Sequence, residues 1–267
     1  MNEILFALRP GAKVLDLGSG SGSFDAAGLQ ALVVRADISV PKAPPSAFVQ
    51  CSAAALPFPC ASFDAVILNH SLEHFDNPRL CLTEIGRVIN PDGFLYIAIP
   101  DASTLTDRLY RWLARGGGHV NLFTDAAAVA QLVTQATGLA HVGTRILFSS
   151  LSFLNQANRT TRAPGKLILL GNGNEHLLRI LNWILRRADQ YFGFRSAVYG
   201  WAFYFGRVPP ELNLRSWINV CVRCGSAHDS KTLATTGRVR NRRILPSLYT
   251  CPRCGTLNYF IKDAGSN

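Results

Sequence analysis

The 267 residues, 29.1 kDa, give room for one large domain or one ordinary domain with a small companion. With 48% hydrophobic and 16% charged residues, wholesale disorder is excluded, and no internal repeat points to a solenoid or propeller. The net charge of +10 is uneven: residues 1–149 hold 10 Lys/Arg against 12 Asp/Glu, and residues 150–267 hold 17 against 5. Such a basic half suits nucleic acid, anionic lipid or a polyanionic substrate, or serves solubility alone. The uncharged stretches 43–63 and 126–144 are broken by prolines or polar residues, so neither reads as a membrane span. No secretory signal is evident, and the expected location is cytoplasmic.

The first element in chain order is an apolar strand over 13–17 that runs into Gly18-Ser19-Gly20-Ser21-Gly22. Position 23 is Ser, so the spacing departs from a dinucleotide fingerprint. Asp16, two residues before the first glycine, would oppose a pyrophosphate but suits a ligand bearing an ammonium and a sulfonium. A second strand over 32–36 ends at Asp37, placed to accept both hydroxyls of a ribose. Further strands are expected over 47–50, 64–69 and 94–99, with helices over 77–89 and 124–137. Strand–helix alternation implies an α/β fold, a doubly wound, mostly parallel sheet with its ligand at the carboxyl ends of the strands.

Residues 174–192 place Leu177, Leu178, Ile180, Leu181, Trp183, Ile184 and Leu185 around Arg179, Arg186 and Arg187. Helical spacing gives a broad apolar face with basic flanks, fit for a membrane surface, a substrate cover, or a core or dimer contact. The aromatic run Tyr199–Phe205 reads as the last strand of the sheet. Cys51, Cys60 and Cys81 are expected to be small buried hydrophobes. Cys221, Cys224, Cys251 and Cys254 instead form two Cys-x-x-Cys-Gly turns, the pattern of a closed four-cysteine zinc ribbon with no open coordination position. Arg238, Arg240, Arg242 and Arg243 are expected on a loop or hairpin projecting from that metal site.

From about Ala12 to Gly138 the chain resembles the class I, seven-stranded S-adenosylmethionine-dependent methyltransferases, and among them the type 11 group. The resemblance rests on the glycine-rich motif, on Ala-Asp-Ile-Ser at 36–39 and Ala-Leu-Pro-Phe-Pro at 55–59, and on Ser-Phe-Asp-Ala-Val at 62–66. It continues through Ser-Leu-Glu-His-Phe-Asp-Asn-Pro at 71–78, Glu-Ile-Gly-Arg-Val-Ile-Asn-Pro-Asp-Gly at 84–93 and Gly-His-Val-Asn-Leu-Phe-Thr at 118–124. It implies that S-adenosylmethionine is held by Asp16, Gly18, Ser19, Gly20, Gly22, Asp37, Ile38, Ser52, Ala53 and Asn69. Ser52 stands where the family often has an Asp reading the adenine amino group. Between Asp37 and Leu56 three prolines in six residues replace a customary helix. The implied architecture is a methyltransferase domain over 1–210, with an insertion over about 152–196, and a zinc ribbon over 211–267.

Candidate acceptor-side bases are His70, His74 and His119, the last in a glycine-flanked loop expected to be mobile. After the fourth strand, Asn-His-Ser-Leu lacks the turn that related enzymes use to hold a base amine. The leading expectation is therefore methylation, most simply O-methylation, of a small-molecule, lipid or saccharide acceptor. An RNA methyltransferase gripping through the basic half, or a non-catalytic binding module on the same fold, are the alternatives.

Overall fold

The computed structural model describes residues 2–45, 47–113, 118–158, 172–208, 212–242 and 245–262. Residues 159–171 of the expected insertion, and Arg243 of the arginine run, lie outside them. Seven strands form one sheet: β1 Lys13–Leu17, β2 Leu32–Asp37, β3 Phe48–Gln50, β4 Phe63–Asn69, β5 Ile89–Pro100, β6 His141–Phe148 and β7 Val198–Gly206. Their order is β3-β2-β1-β4-β5-β7-β6, and β3-β2, β2-β1, β1-β4 and β4-β5 pair in parallel. The order reverses at β1, where sequence neighbours β1 and β2 lie side by side and β4 continues on the other flank. That switch opens a crevice beyond the carboxyl ends of β1 and β4.

The expected helices form close to their predicted bounds, each for a local reason. Helix α2, Pro78–Val88, starts where Asn77 Oδ1 accepts from Leu80 N and a proline occupies the first turn. Helix α4, Ala126–Thr137, is capped by the Asp125 carboxylate and stopped by left-handed Gly138. Leu82, Ile85 and Val88 of α2 and Val129, Ala130 and Val133 of α4 join Leu15, Leu17, Val66, Leu68, Leu95 and Ile97 in one apolar core. One more helix, α1 Asn2–Leu5, precedes the sheet, and α3 Leu105–Leu113 follows β5. Among the described residues, the β1–β2 and β2–β3 connections contain no helix. Gly18, Gly20, Gly22 and Gly28 in the first, and prolines 41, 44 and 45 in the second, make helix formation unfavourable.

The chain divides into two compact units. The first takes residues 1–102, 118–145 and 201–214; the second takes 103–117, 146–200 and 215–267. In the second, helix α5, Glu175–Phe192, is capped by Asn174 and ended by left-handed Gly193. Its Leu178, Leu181 and Leu185 pack with Leu109, Leu113, Leu151, Phe153 and Leu154. Arg186, expected on a basic flank, is instead 2% exposed and donates from Nη2 to the carbonyls of Ser149 and Val220. It follows buried Leu178 and Asn182 at four-residue spacing, which sets it on the packed face. Burial lowers its pKa to about 10.

Two short sheets, β8 Asn219–Val220 with β9 Ala227–His228, and β10 Val239–Arg240, β11 Leu248–Thr250 and β12 Leu257–Tyr259, surround the cysteines; helix α6, Ser230–Thr235, lies between them in sequence. Arg240 is exposed on β10, as the hairpin expectation required. Cys81 is buried, but Cys60 is exposed and Cys51 half-buried. Cys60 follows the Pro57–Pro59 turn, outside the core, with Sγ 3.9 Å from Arg87 Nη1. No helix among the described residues is long and apolar enough to cross a membrane.

Candidate active site and cysteine centre

The glycine-rich turn is held against the sheet by a few specific contacts. Gly18 sits at φ +67°, and a Cβ there would lie 2.4 Å from Ser71 Cβ. Only glycine fits this close approach of two strand ends. Ser71 is buried, and its Oγ donates to the Leu17 carbonyl at 3.0 Å, tying the end of β4 to that of β1. Gly18 N and Ser19 N both donate to the Ala36 carbonyl, at 2.8 and 3.2 Å. At Gly20 a Cβ would meet nothing within 4 Å, so the turn leaves open space.

Two carboxylates frame that turn. Asp37 Oδ2 accepts from Gly20 N at 2.8 Å, and its Oδ1 accepts from Ser39 N at 2.9 Å. Asp16 is fully buried; its Oδ2 accepts from Ser23 N at 3.0 Å and lies 3.5 Å from Arg35 Nε. Its other oxygen, Oδ1, has no hydrogen-bond partner. Desolvation raises the Asp16 pKa, outweighing the Ser23 bonds and the Arg35 charge, and nearby Asp37 adds to the rise. A buried carboxylate oxygen left without a donor fits a ligand that brings an ammonium or N–H groups. Arg35, a cation inside strand β2, is the sequence feature that marks this pairing.

The other implied cofactor contacts are near but less specific. Ile38 is 71% exposed, and Ser52 is exposed with its Oγ accepting from Ala54 N at 3.2 Å. Cys51 N donates to the Asp37 carbonyl at 3.0 Å, which brings the 51–53 segment beside the ribose-binding candidate. Ser19 is buried and its Oγ has no partner, whereas Asn69 is half-buried at the end of β4.

Directly after β4 the three candidate histidines come together. His70 holds left-handed φ +58°, an uncommon conformation for any residue but glycine, and its N donates to the Ala98 carbonyl. Its Nδ1 lies 3.8 Å from Glu73 Oε1. The His70 pKa falls to about 4, chiefly through burial and then through His119 and His74. His74 closes the 3-10 turn Leu72–His74. Its Nδ1 lies 2.8 Å from the Gly118 carbonyl, and its ring stands 5.0 Å edge-on from that of His119. Directly after His119 the chain is anchored: Val120 N and Asn121 N donate to the Glu73 carbonyl, and Asn121 Nδ2 donates to that of Phe75. Glu73, 1% exposed, was quoted within a motif but not singled out by sequence reasoning.

In the second unit, four thiols converge. Cys221 Sγ lies 3.6 Å from Cys254 Sγ, Cys224 Sγ lies 3.7 Å from Cys251 Sγ, and all four sulfurs fall within 4.8 Å of one another. Sulfurs at about 2.3 Å around a tetrahedral ion would be roughly 3.8 Å apart, so the cluster fits such an ion. Each Cys-x-x-Cys-Gly turn repeats one geometry. Gly225 N donates to the Cys221 carbonyl and Gly255 N to that of Cys251, with Gly225 at φ +71° and Gly255 at φ +75°. Burial pushes the Cys221 and Cys251 thiols up, so a doubly charged cation among them is what would hold all four as thiolates.

Comparison with known proteins agrees with this layout. Residues 15–97 match the family described as methyltransferase domain. A demethylmenaquinone methyltransferase of Renibacterium salmoninarum is 34% identical over 98 residues, 33% of this chain and 41% of that protein. A malonyl-[acyl-carrier protein] O-methyltransferase of Hahella chejuensis is 36% identical over 77 residues, 28% of each chain. The chain therefore spans well under half the length of these curated relatives. A crystal structure of a SAM-dependent methyltransferase from Archaeoglobus fulgidus superposes with a TM-score of 0.50 at 14% identity, covering 76% of this chain and 88% of that one. That likeness is one of fold.

Proposed function

We propose that this chain, whose residues 15–97 match a methyltransferase domain, transfers a methyl group from S-adenosylmethionine to a small-molecule, lipid or saccharide acceptor, most simply at oxygen. One observation carries the reading: a fully buried Asp16 with an unsatisfied oxygen beside an open glycine turn and Asp37. The sulfonium cofactor would supply an electrophilic methyl group. Asp16 would receive its ammonium, Asp37 its ribose hydroxyls, and Ser52 and Ala53 would border the adenine. Asp37 already accepts one N–H on each oxygen, leaving one lone pair on each for a hydroxyl. His70 would be neutral at pH 7 and, with His74 and His119, would take the acceptor's proton.

In this reading residues 1–210 perform the transfer and 211–267 form a structural zinc ribbon. Support for a lipid-facing role comes from helix α5, where Leu177, Ile180, Ile184 and Tyr191 are 52%, 42%, 49% and 75% exposed along one stripe. Arg187 lies on the same helix, and the basic half would favour an anionic bilayer surface. RNA is the second reading, favoured by the same basic half, and a steep salt dependence of RNA binding would distinguish it.

Calorimetry with S-adenosylmethionine and S-adenosylhomocysteine tests the cofactor. Transfer of a labelled methyl group into lipid, saccharide and RNA fractions then assigns the acceptor. Failure to bind either cofactor would overturn the catalytic reading in favour of a non-enzymatic module.

A further inference from the structure

We propose that Glu73, His74 and His119 form a second metal site, open to solvent or substrate and chemically distinct from the cysteine centre. One ring nitrogen of each histidine and one carboxylate oxygen of Glu73 lie within 4.8 Å of one another. Ligands bonded at about 2.1 Å to one ion are separated by roughly 3.0–4.2 Å, so sub-ångström side-chain adjustment closes the site.

The backbone holds these residues in place. His119 is flanked by two anchors: the Gly118 carbonyl on the His74 ring, and Val120 N on the Glu73 carbonyl at 3.0 Å. The first anchor also fixes a tautomer. A carbonyl can only accept, so His74 Nδ1 carries the proton and Nε2 keeps its lone pair. A ligating histidine characteristically donates its other N–H to a backbone carbonyl in just this way. Glu73, 1% exposed, supplies the anionic oxygen of the set.

The donor set decides the class of ion. Two imidazoles and one carboxylate suit manganese, iron, cobalt or zinc in the divalent state; magnesium and calcium prefer all-oxygen shells. Three protein ligands leave coordination positions open, whereas the four thiols of the ribbon leave none. If the methyl-transfer reading holds, His74 and His119 would then serve as ligands rather than bases: an acceptor oxygen would occupy an open position and lose its proton more readily, to His70. The metal site itself does not depend on that reading.

Manganese is the useful probe because thiolates bind it poorly, so it reports this site separately from the ribbon. The full-length, zinc-loaded protein is titrated with Mn2+ and followed by electron paramagnetic resonance. One bound equivalent is expected. Glu73→Gln, His74→Gln and His119→Ala should each weaken it by more than the roughly 10–100-fold typical of outer-shell losses, with zinc content unchanged. Circular dichroism and cofactor calorimetry on the same samples show whether each variant is folded. No bound Mn2+ and no Co2+ absorption change at about 1 mM metal would overturn the site, as would binding that survives His119→Ala. Cofactor binding without metal binding would sink this inference alone. Metal binding without cofactor binding would sustain it and remove the catalytic reading.

Discussion

The glycine turn of β1 and the cysteine ribbon both present buried polar atoms that a ligand would complete, yet they are supported in different ways. Around the turn, the chain satisfies most of its own groups: both Asp37 oxygens and one Asp16 oxygen already accept backbone N–H groups. Behind it lies a core of more than twenty buried side chains drawn from five strands and two helices. The ribbon core has four fully buried members, Cys221, Leu233, Tyr249 and Cys251, and two of them are candidate ligands. The first site should exist before its ligand arrives. The second should exist largely because of its ion.

The largest effect expected from this contrast is metal removal. Chelation, or Cys224→Ser, should unfold the ribbon, since apparent zinc binding energies of about 10–16 kcal/mol are folding energy in such sites. Amide exchange over 215–262 should accelerate to unprotected rates while cofactor affinity changes little. Loss of cofactor affinity on chelation would show that the two regions are not independent. Next in size, Gly18→Ala combines a left-handed φ with the 2.4 Å approach to Ser71 Cβ. A loss of about 2–5 kcal/mol is expected in denaturant titration, because the support is packing that cannot shift cheaply.

Asp37→Ala should weaken cofactor binding by about 1–3 kcal/mol in calorimetry, with less effect on folding. Unchanged affinity would mean that Asp37 only braces the loop. The smallest effect concerns Glu84, whose pKa is held at about 2 by its bonds to Arg87, against some burial, with help from Leu56 N. A folded pKa below the ordinary 4.5 contributes stability that is complete above about 4.5 and is lost as pH falls toward 2. The melting temperature of Glu84→Gln should therefore converge on that of the parent across this window. A gap that persists at pH 2 would assign the difference to packing.

Elements with strong local signals were legible in the sequence. Strand β1, helices α2 and α4 with their Asn and Asp caps, and helix α5 between Asn174 and Gly193 all fell within a few residues of their expected bounds. Strand β6 was missed because His141–Phe148 buries only Arg145 well and lacks clean alternation. Helix α3 carries an apolar stripe, Leu105, Leu109 and Leu113, but it is only nine residues long, and its fully buried positions are the polar Thr106 and Asp107, the latter paired with Arg111 at 2.6 Å. At the sites, the four cysteines and Asp16 could be read from spacing alone. Glu73 and Arg186 could not, because their placement is set by segments far away in the chain: residues 120–121 bond the Glu73 carbonyl, and Arg186 bonds those of Ser149 and Val220.

The piecewise make-up of the second unit bears on how the protein emerges from the ribosome. Helix α5 is complete some sixty residues before Cys251 and Cys254 are synthesised. Until residue 220 follows, its Arg186 has the Ser149 carbonyl but not that of Val220. A half-satisfied guanidinium resists burial, so the nascent helix would keep that face in water rather than collapse prematurely onto half-made structure. The residue that looks most costly in the folded molecule would thereby delay closure of the unit until the first cysteine turn has been translated.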